Sequence, residues 1–554
     1  MFRRALIAVP CAGLALSLFA CGSDHDNTTA QDKLQTATPI KHVVVIYGEN
    51  VSFDHYFGTY PNATNPAGEP AFTPAAGTPA ANVLTDALIN NNPNKTNTAN
   101  GAGAANPFRL DRTQAATADQ NHSYTPEQQA QNNGAGDLFP LFTGKGTSGG
   151  AGAFGTTGQV MGFFDGNTVT GLWNYAQKFA MSDNAWTATY GPSTPGALEV
   201  VSGQTNGVQI LKTTAVASTL AKSSFLINDG QGGITMINDV DPGNDVCSST
   251  TDQAMMTGKN IGDLLNAKGI TWGGFMGGFN LATVNSNGTT GCKRSTIATA
   301  VGAATADYIP HHNWFQYYTS TANPQHTRPS STAAIGFSTE TDGKTAEPAN
   351  HQYDTDDFFA SVKAGNYPSV SFLKAPAAQD AHAGYSDPLD EQQFVTKVVN
   401  FLQQQKDWSS TAVIVTYDDS DGWYDHVYMP PVTSSFDAQA DQLNGAGVCG
   451  TGTQPAGVTG GAVNGRCGPG TRIPFLVISP WAKTNYVDHT FVNQASVVRF
   501  IEDNWLSGQR LGGGSFDATS GSIMSLFDFS NGGKNPNLFL DQTLGTQVSS
   551  VPTI

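Results

Sequence analysis

Two stretches of the chain share one design. Val43-Val44-Val45-Ile46-Tyr47 is an unbroken apolar run that stops at Gly48 and passes at once to Glu49 and Asn50. Ala412-Val413-Ile414-Val415-Thr416-Tyr417 does the same and passes to Asp418 and Asp419. Runs of this length without polar alternation predict strands buried on both faces, as in parallel sheets. In an open α/β sheet, polar residues just past such strands stand where ligands bind. Weaker runs over residues 269–275, 370–373 and 473–480 predict further strands. Helical spacing marks residues 169–179, 354–364, 391–405 and 493–506. In the third of these, Phe394, Val395, Val398, Val399 and Leu402 fall on one face.

Between these elements the pattern fades. Residues 61–106 are rich in Asn, Ala, Pro, Gly and Thr, and predict a surface insertion that is either a lid over the site or a plain loop. Residues 531–554 read as a polar tail. Met1-Phe2-Arg3-Arg4 and the apolar stretch to Ala20 read as an export signal, because the run is too short for a comfortable membrane span. Cys21 directly after Ala20 resembles a lipobox, so lipidation of Cys21, and with it membrane attachment, stands beside ordinary cleavage as an expectation. Residues 21–38 then read as a polar tether, and 39–530 as the folded body.

Composition sharpens the compartment. A net charge of −17 with only 13% charged residues offers no basic face, which excludes a nucleic-acid binder. Of the six cysteines, Cys11 lies in the signal and Cys21 at its end, leaving Cys247, Cys292, Cys449 and Cys467. An even count in an exported chain predicts disulfides, and closure of local loops favours Cys247 with Cys292 and Cys449 with Cys467. No Cys/His cluster has zinc-site spacing.

Chemistry concentrates at the strand ends. Adjacent carboxylates such as Asp418 and Asp419 repel each other when buried unless a cation or proton intervenes. Parallel pairing that brings Glu49 and Asn50 alongside resolves the conflict with a hard divalent ion held by oxygen atoms. Tyr190-Gly191-Pro192-Ser193-Thr194-Pro195-Gly196 predicts a bend into a helix, with Ser193 at or near its start. Two readings are open there, a capping serine or a hydroxyl among backbone N–H groups able to receive a phosphate. Three histidines stand out by place. His122 lies in a polar loop where a solvated residue or a cap is the commoner reading, and His382 in a Gly/Ala-rich loop past a strand. His312 belongs to a His311-His312 pair of which at most one can face a site. His489 reads as structural.

Glu49-Asn50-Val51-Ser52-Phe53-Asp54-His55-Tyr56-Phe57-Gly58, Gly191-Pro192-Ser193-Thr194-Pro195-Gly196 and Thr416-Tyr417-Asp418-Asp419-Ser420-Asp421-Gly422-Trp423-Tyr424-Asp425-His426-Val427, in that order, resemble the bacterial phosphoesterase family of phospholipases C and AcpA-type acid phosphatases. The resemblance implies an alkaline-phosphatase-like α/β core, a central, mostly parallel sheet flanked by helices with loop insertions. It implies that Glu49, Asn50, Asp418 and Asp419 hold one divalent metal and that Ser193 is the nucleophile. It further implies that His122, His312 and His382 contact the phosphate or transfer protons, with Asn50 also on phosphate. Oxygen ligands favour Ca²⁺, Mg²⁺ or Mn²⁺, while the imidazoles leave zinc and iron open. The phospholipase branch usually shows threonine where Ser193 stands, Pro-Asn-Arg shortly after, and C-terminal β domains. This chain has Pro195-Gly196-Ala197 and a tail without β-rich repeats, which leans toward the acid phosphatase branch.

The expected activity is a metal-dependent phosphomonoesterase acting on a small phosphate ester through a phosphoserine, in the cell envelope or secreted. Protonated His382 or His312 is expected to serve the leaving alcohol, since an imidazole pKa of about 6.5 makes the acid form abundant in mild acid. The alternatives are a phospholipase C cleaving phosphocholine-type diesters and a surface lipoprotein that binds a ligand without turnover.

Overall fold

The structure, a computed structural model, describes residues 34–212 and 225–552; the expected export signal and Cys21 lie outside them. In chain order the strands of the main sheet are β1 His42–Gly48, β2 Ala180–Ser182, β3 Trp272–Met276, β4 Gln352–Tyr353, β5 Val370–Lys374, β6 Thr411–Tyr417, β7 Phe475–Ile478 and β8 Tyr486–Asp488. They lie side by side as β4-β3-β5-β1-β6-β7-β2-β8. Pairing is parallel except on the two sides of β7, so the expected mostly parallel α/β sheet is observed. Residues 43–46 and 412–415 are buried in the middle of it, which accounts for their lack of polar alternation.

Helices α1 Tyr124–Gln131, α2 Thr170–Lys178, α3 Ser193–Ser202, α4 Ile261–Lys268, α5 Thr355–Lys363, α6 Pro388–Leu402 and α7 Ala495–Trp505 accompany the sheet. α6 begins three residues before residue 391, where periodicity placed it. Asp387 accepts from the backbone N–H groups of Leu389 and Asp390, and Pro388 fills the first helical position. Its apolar stripe, Phe394, Val395, Val398, Val399 and Leu402, is buried against the sheet as the spacing required. None of the described helices is long and apolar enough to cross a membrane. Disulfides join Cys247 to Cys292 and Cys449 to Cys467.

Two weakly patterned segments are packed into the body. The 61–106 stretch holds short helices Asp86–Asn90 and Pro93–Thr96, and buries Asn92, Asn94 and Asn100. Asn92 Nδ2 donates to Tyr424 Oη at 3.0 Å, and Asn94 Oδ1 accepts from the Phe139 N–H at 3.0 Å. Amide side chains share the packing with a few scattered apolar residues, Phe72 and Leu84 among them, so no apolar periodicity marks it. In residues 531–552, Leu538 and Leu540 are buried and their backbones bond to Gln403 and Asn400 of the α6 C-terminal region.

Register is what places the site. Gly48 lies opposite Tyr417 and Ile46 opposite Leu373, so Glu49, Asp418 and Lys374 reach one rim of the sheet together. α3 then comes within touching distance of β6. A Cβ on Gly196 would lie 2.2 Å from the Asp418 carbonyl oxygen, so glycine is required by the close approach. Gly196→Ala should therefore cost about 1–3 kcal/mol, the usual penalty for overpacking, read as a lower urea midpoint. An unchanged midpoint would contradict this contact.

Candidate active site

Ser193 opens α3 and makes no capping bond, which separates the two readings of its position. Its Oγ instead donates to Glu49 Oε2 at 2.8 Å and lies 3.4 Å from Asp419 Oδ2. The bend before it uses Gly191 at φ 120°, whose N–H donates to Glu127 Oε2 at 2.9 Å. Tyr47 Oη donates to the Gly196 carbonyl at 2.7 Å, pinning the helix to the end of β1.

The acids interlock through backbone donors. Asp418 Oδ1 accepts from the N–H of Asn50 at 2.9 Å and of Asp419 at 2.7 Å. Asp419 Oδ1 accepts from the Asp421 N–H at 2.6 Å, and Asn50 Nδ2 donates to Asp421 Oδ1 at 3.0 Å. Each of the three loops leaving β1, β5 and β6 carries one non-glycine residue in left-handed backbone: Asn50 at φ 63°, Ala381 at φ 86° and Asp421 at φ 55°. Such strain persists where surrounding structure enforces it, typically at functional sites.

The histidines converge on the same group. His312 Nδ1 is 3.2 Å from Glu49 Oε1 and 3.8 Å from Asp380 Oδ2. His382 holds its Nδ1 against the Ala383 carbonyl at 2.6 Å, and its ring centroid is 6.1 Å from that of His312 and 6.2 Å from that of His122. His122 Nδ1 is 3.1 Å from Asp421 Oδ1 and 3.5 Å from Asp119 Oδ1. His311 turns away to Asp241, and His489 is largely exposed beside Asp183. All the residues singled out for chemistry thus lie in one cluster. Sequence reasoning missed Lys374, whose Nζ bonds Glu49 Oε1, and Asp380, Asp421 and Glu127. Lys374 had a signal available, a charge ending a buried strand, whereas Glu127 lies in a helix whose sequence looks solvent-facing.

The charge distribution corrects one expectation. Burial, and then Asp418, raise the Glu49 pKa well above the carboxylate range despite Lys374. Burial and Asp418 do the same to Asp419. Burial also pushes Asp421 up to about 8 and Asp380 up to about 7. Asp418 is held low, because its hydrogen bonds and Lys374 outweigh burial. Burial lowers His382 to about 4 and takes His312 well below its usual value, with neighbouring cationic groups adding to the fall. At His122 burial acts in the same sense, but Asp419, Asp421 and Asp119 overcome it and raise the pKa well above the usual value. The imidazole that keeps its proton is therefore His122, not His382 or His312.

The donor set fits a hard cation. Among the described residues Asn50 Oδ1, Asp418 Oδ2 and Asp421 Oδ2 are buried acceptors without a hydrogen-bond partner, a costly state for a carboxylate or amide oxygen. Of the expected ligands Glu49, Asn50, Asp418 and Asp419, Asn50 and Asp418 supply such atoms, while Glu49 and Asp419 face Ser193 Oγ. Two groups including imidazole lie beside them, Glu49 with His312 and Asp380, and Asp119 with His122 and His382.

The model of the phosphoesterase family matches residues 40–506. The non-hemolytic phospholipase C of Pseudomonas aeruginosa is 33% identical over 189 residues, 32% of this chain, and the match spans a quarter (25%) of that protein's length. Phospholipase C A of Mycobacterium tuberculosis is 24% identical over 483 residues, 83% of this chain and 72% of that one. A Vibrio parahaemolyticus protein in the alkaline phosphatase superfamily aligns over 75% of each chain at 11% identity with a TM-score of 0.26, too low to carry an argument.

Crowded carboxylates make metal-free stability fall with pH. Asp380 and Asp421 have folded pKa values of about 7 and 8 against an ordinary 3.8, so their stabilising contribution is complete below the ordinary value and is lost as pH rises through the folded ones. His122 acts with the same sign, and the opposite contributions of His312 and His382 are complete by pH 6.5. In chelator, the urea midpoint should therefore drop between pH 6.5 and 8. A divalent ion at a hundredfold its dissociation constant should restore about 2.7 kcal/mol, and Asp418→Asn should abolish that gain. A midpoint that is flat with pH and indifferent to divalent ions would contradict the charge arrangement.

Proposed function

The chain belongs to the phosphoesterase family, and on that premise we propose that it hydrolyses phosphate esters through a phosphoseryl intermediate on Ser193, with small phosphomonoesters preferred. The observation that carries this reading is the 2.8 Å hydrogen bond from Ser193 Oγ to Glu49 Oε2 at the start of a ten-residue helix. When bound, a divalent ion held by Glu49, Asn50, Asp418 and Asp419 eases loss of the Ser193 proton and offsets phosphoryl charge. Oxygen donors favour Ca²⁺, Mg²⁺ or Mn²⁺, and His312 leaves zinc or iron in contention.

Ser193 Oγ passes its proton to Glu49 Oε2, to which it is already hydrogen-bonded, and attacks phosphorus in line as the bond to the alcohol oxygen breaks. The proton returns to Oγ when water opens the phosphoserine. The positive end of α3 offsets charge at that spot. His122, which keeps its proton, gives it to the leaving alcohol and recovers one from the water that later opens the phosphoserine. Neutral His312, beside the acid cluster, and Asn50 orient the phosphoryl oxygens, while His382, whose Nδ1–H is taken by the Ala383 carbonyl, lines the pocket with Nε2 as an acceptor. Pro195-Gly196-Ala197 in place of Pro-Asn-Arg leans toward the monoester reading. Where the phospholipase branch carries asparagine in its Pro-Asn-Arg, a side chain here meets the Asp418 carbonyl.

A second reading, a phospholipase C acting on phosphocholine-type diesters, is favoured by the names of the Pseudomonas and Mycobacterium relatives. The two disulfides support export of the protein, and attachment through a lipidated Cys21 is part of the same proposal. Wild-type kcat/KM should be higher for p-nitrophenyl phosphate than for p-nitrophenyl phosphorylcholine, and the reverse order selects the second reading. Ser193→Ala should lose about 10³-fold or more in kcat on either ester with its melting temperature kept. Near wild-type turnover by that variant would remove Ser193 from the chemistry.

A further inference from the structure

We propose that Lys374 is part of the cation site, a positioning residue that orients Glu49 and a fixed charge that makes the site select divalent over trivalent ions. This rests on the reading that Glu49, Asn50, Asp418 and Asp419 hold a divalent ion. Lys374 ends β5, and the pairing of Leu373 with Ile46 carries it to the rim where Glu49 leaves β1. Its Nζ bonds Glu49 Oε1 and lies 5.5 Å from the centre of the Tyr47 ring, and both side chains of the ion pair are 1% exposed. An ammonium so deeply buried is tolerable only against a matched charge.

The two oxygens of Glu49 are thereby given different duties. Oε1 receives Lys374 and faces His312 Nδ1 at 3.2 Å, while Oε2 receives Ser193 Oγ at 2.8 Å. Lys374 thus fixes the rotation of the carboxylate, leaving one oxygen on the nucleophile's side. Its charge has a second consequence. Glu49, Asp418 and Asp419 carry three negative charges when ionised, and Lys374 cancels one, so a divalent ion closes the balance and a trivalent ion exceeds it. Repulsion between the ammonium and the ion scales with the ion's charge. Removing the ammonium therefore helps a trivalent ion half as much again as a divalent one.

The test is calorimetric titration of the chelated full-length protein with Mn²⁺ and with Tb³⁺. Lys374→Met should shift the ratio of affinities toward Tb³⁺ by at least about tenfold. Lys374→Gln, which can still donate to Glu49 Oε1 but is uncharged, should shift it similarly and serves if the methionine variant does not fold. Lys374→Arg, which retains the charge, should stay within about threefold of wild type. If Asp418→Asn loses Mn²⁺ while Lys374→Met and Lys374→Gln keep the wild-type ratio, the role of Lys374 is overturned and the site reading stands. If wild type takes up neither ion, or Asp418→Asn binds Mn²⁺ as wild type does, the site reading fails and this proposal with it.

Discussion

The constraint on which the structure depends is the side-by-side exit of β1 and β6 into a dry rim. Because Gly48 and Tyr417 are in register, Glu49 and Asp418 emerge together, and Asp419 follows, all three buried. Like charges in such a place cannot all remain ionised without compensation. The surrounding features answer that demand. Backbone N–H groups close on Asp418, Lys374 closes on Glu49, and His122 keeps a proton among Asp419, Asp421 and Asp119. Among the described residues, Asn50 Oδ1, Asp418 Oδ2 and Asp421 Oδ2 are left as buried acceptors without a hydrogen-bond partner.

The placement of Ser193 follows from the same geometry. α3 can start against the acid cluster because Gly196 lets its backbone touch β6 and Tyr47 ties it to β1. The outer halves of the two acidic motifs serve another end. Arg472 Nε bonds Asp425 Oδ1 at 2.9 Å and Arg472 Nη2 bonds Asp54 Oδ1 at 3.2 Å, while His426 Nδ1 meets Asp54 Oδ2 at 2.7 Å. This buried ion cluster joins the far ends of the loops that carry Glu49 and Asp418, holding them at a fixed separation. The motifs therefore combine a half that meets Ser193 with a clamping half.

Much of this was legible in the sequence because the signals were local. An apolar run ending in paired polar residues announces a buried strand and its rim, and Gly191-Pro192 announces the bend before Ser193. What was not legible is pairwise. Nothing near Glu127 reveals that its carboxylate bridges the Gly191 N–H and the Ser420 hydroxyl across the fold. Which histidine carries a proton depends on neighbours 300 residues away, so composition could not rank His122 above His382. The 61–106 segment lacked periodicity because buried asparagines and a few scattered apolar residues such as Phe72 and Leu84, rather than an apolar stripe, knit it to the body.

The central claim is that one divalent ion sits among Glu49, Asn50, Asp418 and Asp419 in reach of Ser193. Anomalous X-ray scattering from crystals loaded with Mn²⁺ tests it most directly. A single strong peak bounded by those four side chains and close to Ser193 Oγ is the result this account predicts. A peak centred instead on Asp119, His122 and His382, or none near Glu49, would contradict it.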